Sequence, residues 1–153
     1  DIAPSGFGNP IEERMCAERG ILFSDWRPHE PIRGEVHDGN AHYFFKGVAG
    51  HAGIFADAPA CEGLCRFYLK TEQPLFIQAQ EEQAPGRGLG WQTGELYPEG
   101  CGHTGFTGTS LYISRKRDIG VVALTNRLFY PGPNPNSLNE FRKALHHAVL
   151  ACI

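Results

Sequence analysis

Hydrophobic and polar positions alternate most clearly from Phe106 to Ile113, where Thr107, Thr109, Leu111 and Ile113 fall on one face and Gly108, Ser110 and Tyr112 on the other. A period of two predicts a strand, and the pattern extends it over about 103–114. The turn-prone Arg115-Lys116-Arg117-Asp118 follows, and then an apolar, β-branched run predicts a second strand over about 119–126. An earlier strand is expected over about 88–93, so that at least three antiparallel strands follow one another along the chain. Elsewhere the period lengthens to that of a helix. Asp57 is an N-cap with Pro59 in the first turn, and Cys61, Leu64, Cys65 and Tyr68 make the buried stripe of a helix over about 58–70. Glu62 and Arg66 should pair on its outer side. Weaker helices are expected around 11–19 and 75–83. Ser137-Leu138-Asn139-Glu140 reads as a capping box opening a helix over about 137–151. Its apolar stripe, Leu138, Phe141, Leu145, Val149 and Cys152, should lie on the sheet, with His146 and His147 near its end complementing the helix dipole when protonated. The fold class is therefore α+β, an antiparallel sheet packed by helices.

The remainder is turn-rich, in keeping with 19 Gly and 11 Pro in 153 residues. Residues 1–32 read as a loop-rich segment that wraps one body, anchored by Phe23 and Trp26, and the whole of 1–153 as a single domain. The formal net charge of −3 argues against nucleic acid as a partner, and no apolar run approaches a membrane span. Cys16, Cys61, Cys65, Cys101 and Cys152 form no regular framework, which favours reduced thiols and a cytoplasmic setting. The chain opens on Asp1, so an earlier stretch of polypeptide is expected before it.

Two stretches carry candidate chemistry. In Arg33-Gly34-Glu35-Val36-His37-Asp38-Gly39-Asn40-Ala41-His42, together with His51, imidazole and carboxylate groups could suit zinc. No metal motif such as H-E-x-x-H accompanies them, and a loop whose side chains bond backbone groups is the preferred reading, with no metal and no cofactor. Gly47 to Gly53 carries glycine at every third position but matches no phosphate-cradling motif, so tight turning is its expected use. The second stretch is His103-Thr104-Gly105-Phe106-Thr107-Gly108-Thr109, small and hydroxylated residues that lead into the strand.

On these residues the chain resembles the second half of the serine β-lactamase and penicillin-binding-protein superfamily, nearest its class C-like esterase and DD-peptidase branch. H-T-G on a strand, a hairpin and a last helix follow G-H-A-G-I-F at 50–55 and a helix in the order of that family, from about Arg33 to the C-terminus. The resemblance implies that the backbone N–H of Phe106 is an oxyanion-hole donor and that His103, Thr104 and Gly105 bind substrate. It also places His37, Asp38 and His51 close to the cleft. Histidine stands where penicillin-binding members commonly have lysine, and imidazole is a weaker, pH-dependent handle on a substrate carboxylate, which tilts the expectation toward esterase or peptidase chemistry.

The family's nucleophile lies in S-x-x-K. None of Ser5, Ser24, Ser110, Ser114 and Ser137 has lysine three residues later, and the one S-x-N, Ser137-Leu138-Asn139, comes after the H-T-G strand. The chain is thus expected to be an incomplete hydrolase, inactive alone on its ester, amide or peptide substrate. The strand of 119–126 would then have an open edge, covered by the missing N-terminal half of the fold or by a second copy of the chain. Two further readings are a binding or scaffold module that retains the fold, and a metal-dependent hydrolase using His37, Asp38, His42 or His51.

Overall fold

The computed structural model describes residues 3–129 and 137–153. By their contacts these fall into two compact units, one of Asp1–Phe55 with Asn126–Pro131, the other of Ala56–Thr125 with Gly132–Ile153.

The second unit carries the sheet. Strands β1 (Cys101–Thr104), β2 (Ser110–Ser114) and β3 (Ile119–Ala123) lie antiparallel in the order β1-β2-β3. The register pairs His103 with Leu111 and Thr104 with Ser110 on one side of β2, and Tyr112 with Val121 on the other. Among the described residues β3 has no second strand neighbour. The fold class is as expected, but the strand ranges change, and the strand expected over 119–126 ends at Ala123. The stretch expected as one strand over 103–114 is two strands joined by a tight turn at 105–109. There Gly105 donates its N–H to the Thr109 carbonyl (2.7 Å) and Gly108 to the Gly105 carbonyl (3.0 Å). Gly108 has φ +124°, open to glycine and hostile to an extended side-chain-bearing residue. The range 88–93 contributes only isolated bridges, Gln92 to Gly102 and to Arg87, because Gly90 (φ +78°) and Gly94 (φ +98°) turn the backbone on either side of it.

Helix α2 (Ala58–Lys70) covers one face of β2 and β3. Asp57 caps it, its Oδ1 accepting the Ala60 N–H at 2.9 Å, and Arg66 reaches Glu62 as expected. Cys65 and Leu69 meet Cys101, Ile113, Leu111 and Val122 in the core, while Leu64 turns outward. Gly120 sits opposite Cys65, where an added Cβ would come within 2.8 Å of the cysteine Cβ. Helix α3 (Pro74–Gln80) adds Ala79 to the same core, and Trp91 completes it.

Helix α4 (Ser137–Ala151) presents an unexpected face. Arg142 and His146 are buried, whereas Phe141 is 47% exposed and Cys152 lies outside. His146 packs on the rings of Tyr112 and Tyr97 (centroids 4.6 and 5.6 Å) and its Nδ1 lies 2.7 Å from the Leu96 carbonyl. Burial lowers its pKa, so it is a neutral donor inside the unit and not a cation serving the helix dipole. The expected capping side chain of Ser137 lies outside the described residues.

The first unit contains α1 (Pro10–Glu18) and a π-helical turn, Asn40–Phe44. Phe23, Trp26 and Tyr43 meet edge to face at 4.7–5.5 Å, which anchors the segment around Trp26 within this unit.

Candidate functional site

In the second unit His103 lies exposed on β1, its Nδ1 2.8 Å from the Thr104 carbonyl, and Thr104 ends the strand half-buried. Gly105 opens the turn, and Phe106 stands at its head, 46% exposed. A Cβ at Gly105 would collide with the Thr109 hydroxyl, so the residue after Thr104 is glycine for lack of room. Among the described residues no peptide bond is cis. In a trans peptide the N–H points opposite the carbonyl of the same plane. Because the Gly105 carbonyl turns inward to accept the Gly108 N–H, the Phe106 N–H is directed away from the interior of the turn.

The turn is held from within. Arg142 on α4, 5% exposed, directs Nη2 at the carbonyls of Gly108 and Thr109, each at 3.0 Å, and more distantly at that of Gly105, 3.5 Å. Asn139, one turn earlier on α4, accepts from its Nη1 at 2.8 Å. The Thr125 hydroxyl, two residues past the end of β3, donates to the Gly108 carbonyl at 2.6 Å. These supports were missed in the sequence, where an arginine among charged neighbours on a terminal helix reads as a solvated one. A faint signal was available: Arg142 and His146 are four residues apart and share a face.

The buried hydroxyl of Ser110, across from Thr104, has no hydrogen-bond partner among the described residues. Its 3% exposure makes it unsuitable as an attacking group.

His37, Asp38 and His51 belong to the first unit. His37 is buried, with Nδ1 3.1 Å from the Ser5 hydroxyl, and Asn9 donates to its carbonyl at 2.9 Å. Burial lowers its pKa, against the opposing pull of Glu12. Asp38 bonds His51 at 3.0 Å and accepts the Ala41 N–H at 2.8 Å, fastening the π-helical turn. Burial pushes its pKa upward, but the Ala41 and His51 hydrogen bonds outweigh it and hold the carboxyl below its ordinary value. His42 packs edge-on against Tyr43. Among the described residues no three His, Cys, Asp or Glu side chains are grouped to hold a metal ion. No described helix is long and apolar enough to cross a membrane.

Comparison with known proteins adds the following. A family model described as Beta-lactamase matches residues 22–144. The N-acetylmuramyl-L-alanine amidase of Bacillus subtilis (strain 168) is 31% identical over 171 aligned residues, covering 92% of this chain and 38% of the relative. A putative D-alanyl-D-alanine carboxypeptidase of Salmonella paratyphi B is 34% identical over 124 residues, covering 67% of this chain and 29% of the relative, and that of Salmonella newport matches equally. The chain spans about a third of the length of the curated relatives it matches. No solved structure matches it significantly.

Proposed function

The chain belongs to the β-lactamase family, and from that premise we propose that it supplies the substrate strand and one oxyanion donor of a serine acyl-transfer site. The nucleophile comes from polypeptide outside this sequence, and the chain alone is inactive. The observation that carries the reading is the turn after His103-Thr104-Gly105, which aims the Phe106 N–H outward just beyond the end of β1, where His103 is exposed. In acyl transfer the serine oxygen adds to a carbonyl, the carbonyl oxygen becomes an oxyanion, and collapse of the tetrahedral adduct expels the leaving group. A fixed N–H aimed at that oxyanion is worth about 3–4 kcal/mol in the transition state. His103 and Thr104, beside the donor, hold the polar end of the substrate. The relatives are named as an amidase and as putative carboxypeptidases, which favours an amide or peptide acyl group over a simple ester. In the first unit Asp38 fastens its own loop through His51 and the Ala41 N–H, and His37, Asp38 and His51 take no chemical step. The outer edge of β3 pairs with a strand from the polypeptide that brings the nucleophile.

The test is intact-mass analysis under denaturing conditions after a fluorophosphonate serine probe, with this chain alone and with the nucleophile-bearing polypeptide present. The adduct is expected on the latter only, and only in the mixture or the continuous protein. An adduct on this chain, or none in either sample, would overturn the reading.

A further inference from the structure

We propose that Arg142 is a positioning residue for the 105–109 turn: its buried guanidinium holds the inner carbonyls so that the Phe106 N–H keeps its outward aim. The inference deepens the acyl-transfer reading and rests on it for its catalytic consequence.

The argument starts from the weakness of the turn by itself. Its backbone hydrogen bonds include Gly105 to Thr109 and Gly108 to Gly105, and it contains two glycines, the residues that leave a chain most conformational freedom. A peptide plane in such a turn can rotate at little cost, and rotation of the Gly105–Phe106 plane carries the Phe106 N–H with it. Three carbonyls, those of Gly105, Gly108 and Thr109, face one nitrogen, Nη2 of Arg142. Turning any of these planes outward would leave a buried cation facing fewer acceptors, and hydrogen bonds to a charged group are among the stronger ones in proteins. The guanidinium is itself held, since Asn139 accepts from Nη1. A planar fork with fixed donor directions is needed for this, which lysine lacks. The Thr125 hydroxyl secures the Gly108 carbonyl alone, so it supports the turn without orienting the plane that carries the Phe106 N–H.

The test uses Arg142→Lys and Arg142→Met, with Thr125→Val as a comparison. In the chain itself, amide-resolved NMR should show Gly105, Phe106 and Gly108 shifted or broadened in both Arg142 variants. Exchange protection at the Gly105 and Gly108 amides should fall at least tenfold while amides beyond Leu145 stay helical, and Thr125→Val should move Gly108 most. Unchanged shifts and protection in the Arg142→Lys variant overturn the proposal even if Arg142→Met fails to fold. In the protein that carries the nucleophile, Arg142→Lys is expected to lower kcat about 10–100-fold with KM within about twofold, the signature of an interaction realised in the transition state. A disordered turn with unchanged kcat, or a loss confined to KM, overturns the positioning role. A wild-type protein that never acylates sinks the acyl-transfer reading instead, and the amide measurement still decides whether Arg142 shapes the turn.

Discussion

Helices α2 and α4 both belong to the sheet-bearing unit, yet they use opposite chemistry. Against β2 and β3, α2 sets Cys65 and Leu69 into a core of Cys101, Ile113, Leu111 and Val122, contact without direction. By contrast α4 buries Arg142 and His146, each committed to named carbonyls. Apolar packing tolerates small shifts of the helix along its seam, whereas directional bonds from a charged fork fix the element they grip. The element gripped is the turn that ends the His103-Thr104-Gly105 strand.

The sharpest way to break this contrast is to add one methyl group on each side. A Cβ at Gly102 would meet the Tyr97 ring and the Leu111 carbonyl, on the face where Tyr97 and His146 pack. Gly102→Ala is expected to cost about 3 kcal/mol or more, because a backbone carbonyl and a buried ring cannot both yield. Gly120→Ala meets side chains alone, Cys65 closely and Leu69 at ordinary contact distance, and should cost about 1–2 kcal/mol. Urea denaturation midpoints compare the two, and equal losses would show that the α2 seam is as rigid as the other face.

Titration separates the faces next. His146 has a folded pKa below its ordinary 6.5, through burial first and then the nearby Arg142 and His147 charges, partly offset by the Leu96 carbonyl. The unfolded chain therefore binds the proton more readily, and stability should fall as pH drops from about 6.5 toward the folded value, by at most about 1.4 kcal/mol per pH unit for this group. On the α2 face burial pushes Cys65 up to about 11 and Cys101 up to about 12 from 9.0. There the folded state keeps its protons, so stability is intact below about 9 and falls as pH rises through the folded values, with a similar limiting slope for each thiol. His146→Phe should flatten the acid arm in part, leaving the shares due to His37 and His42, whose burial also lowers their pKa. Cys65→Ala should flatten the alkaline arm in part, leaving the shares due to Cys101 and to Tyr97, which burial pushes from 10.0 up to about 12. Melting temperatures across pH read both, and an acid arm untouched by His146→Phe would remove His146 from the account.

The smallest effect concerns Ser110. Its buried hydroxyl lacks a partner among the described residues, so Ser110→Ala should leave stability unchanged or raise it by up to about 1 kcal/mol. A loss beyond about 1 kcal/mol, measured by denaturation, would mean that the hydroxyl is satisfied.

The same contrast explains what was legible beforehand. Asp57, Pro59 and the stripe through Cys61, Cys65 and Tyr68 announce α2 because cap and apolar face are written in local residue types. The four charged and turn-forming residues at 115–118 announce the β2–β3 hairpin in the same way. The 103–114 stretch misleads because its alternation, read from Phe106 on, continues across Gly108, and a period of two carries no record of where the backbone reverses. The face of α4 misleads for a different reason. Burial of Arg142 depends on carbonyls 33 to 37 residues earlier, which no local pattern can report. His103, Thr104 and Gly105 stand out by type and spacing, while the supports at Arg142 and Thr125 emerge only from the fold.

Sheet order equal to chain order has a consequence for assembly. In this meander β1 meets β2 across a five-residue turn, and β2 meets β3 across a four-residue one, so the sheet can close through short loops that cost little chain entropy. Docking of α4 spans a far longer closure, and its guanidinium must shed water before it finds its acceptors. The sheet is therefore expected to zip early and the 105–109 turn to acquire its final shape last, when α4 arrives. Nascent chains would then hold a formed strand well before they hold a fixed Phe106 N–H.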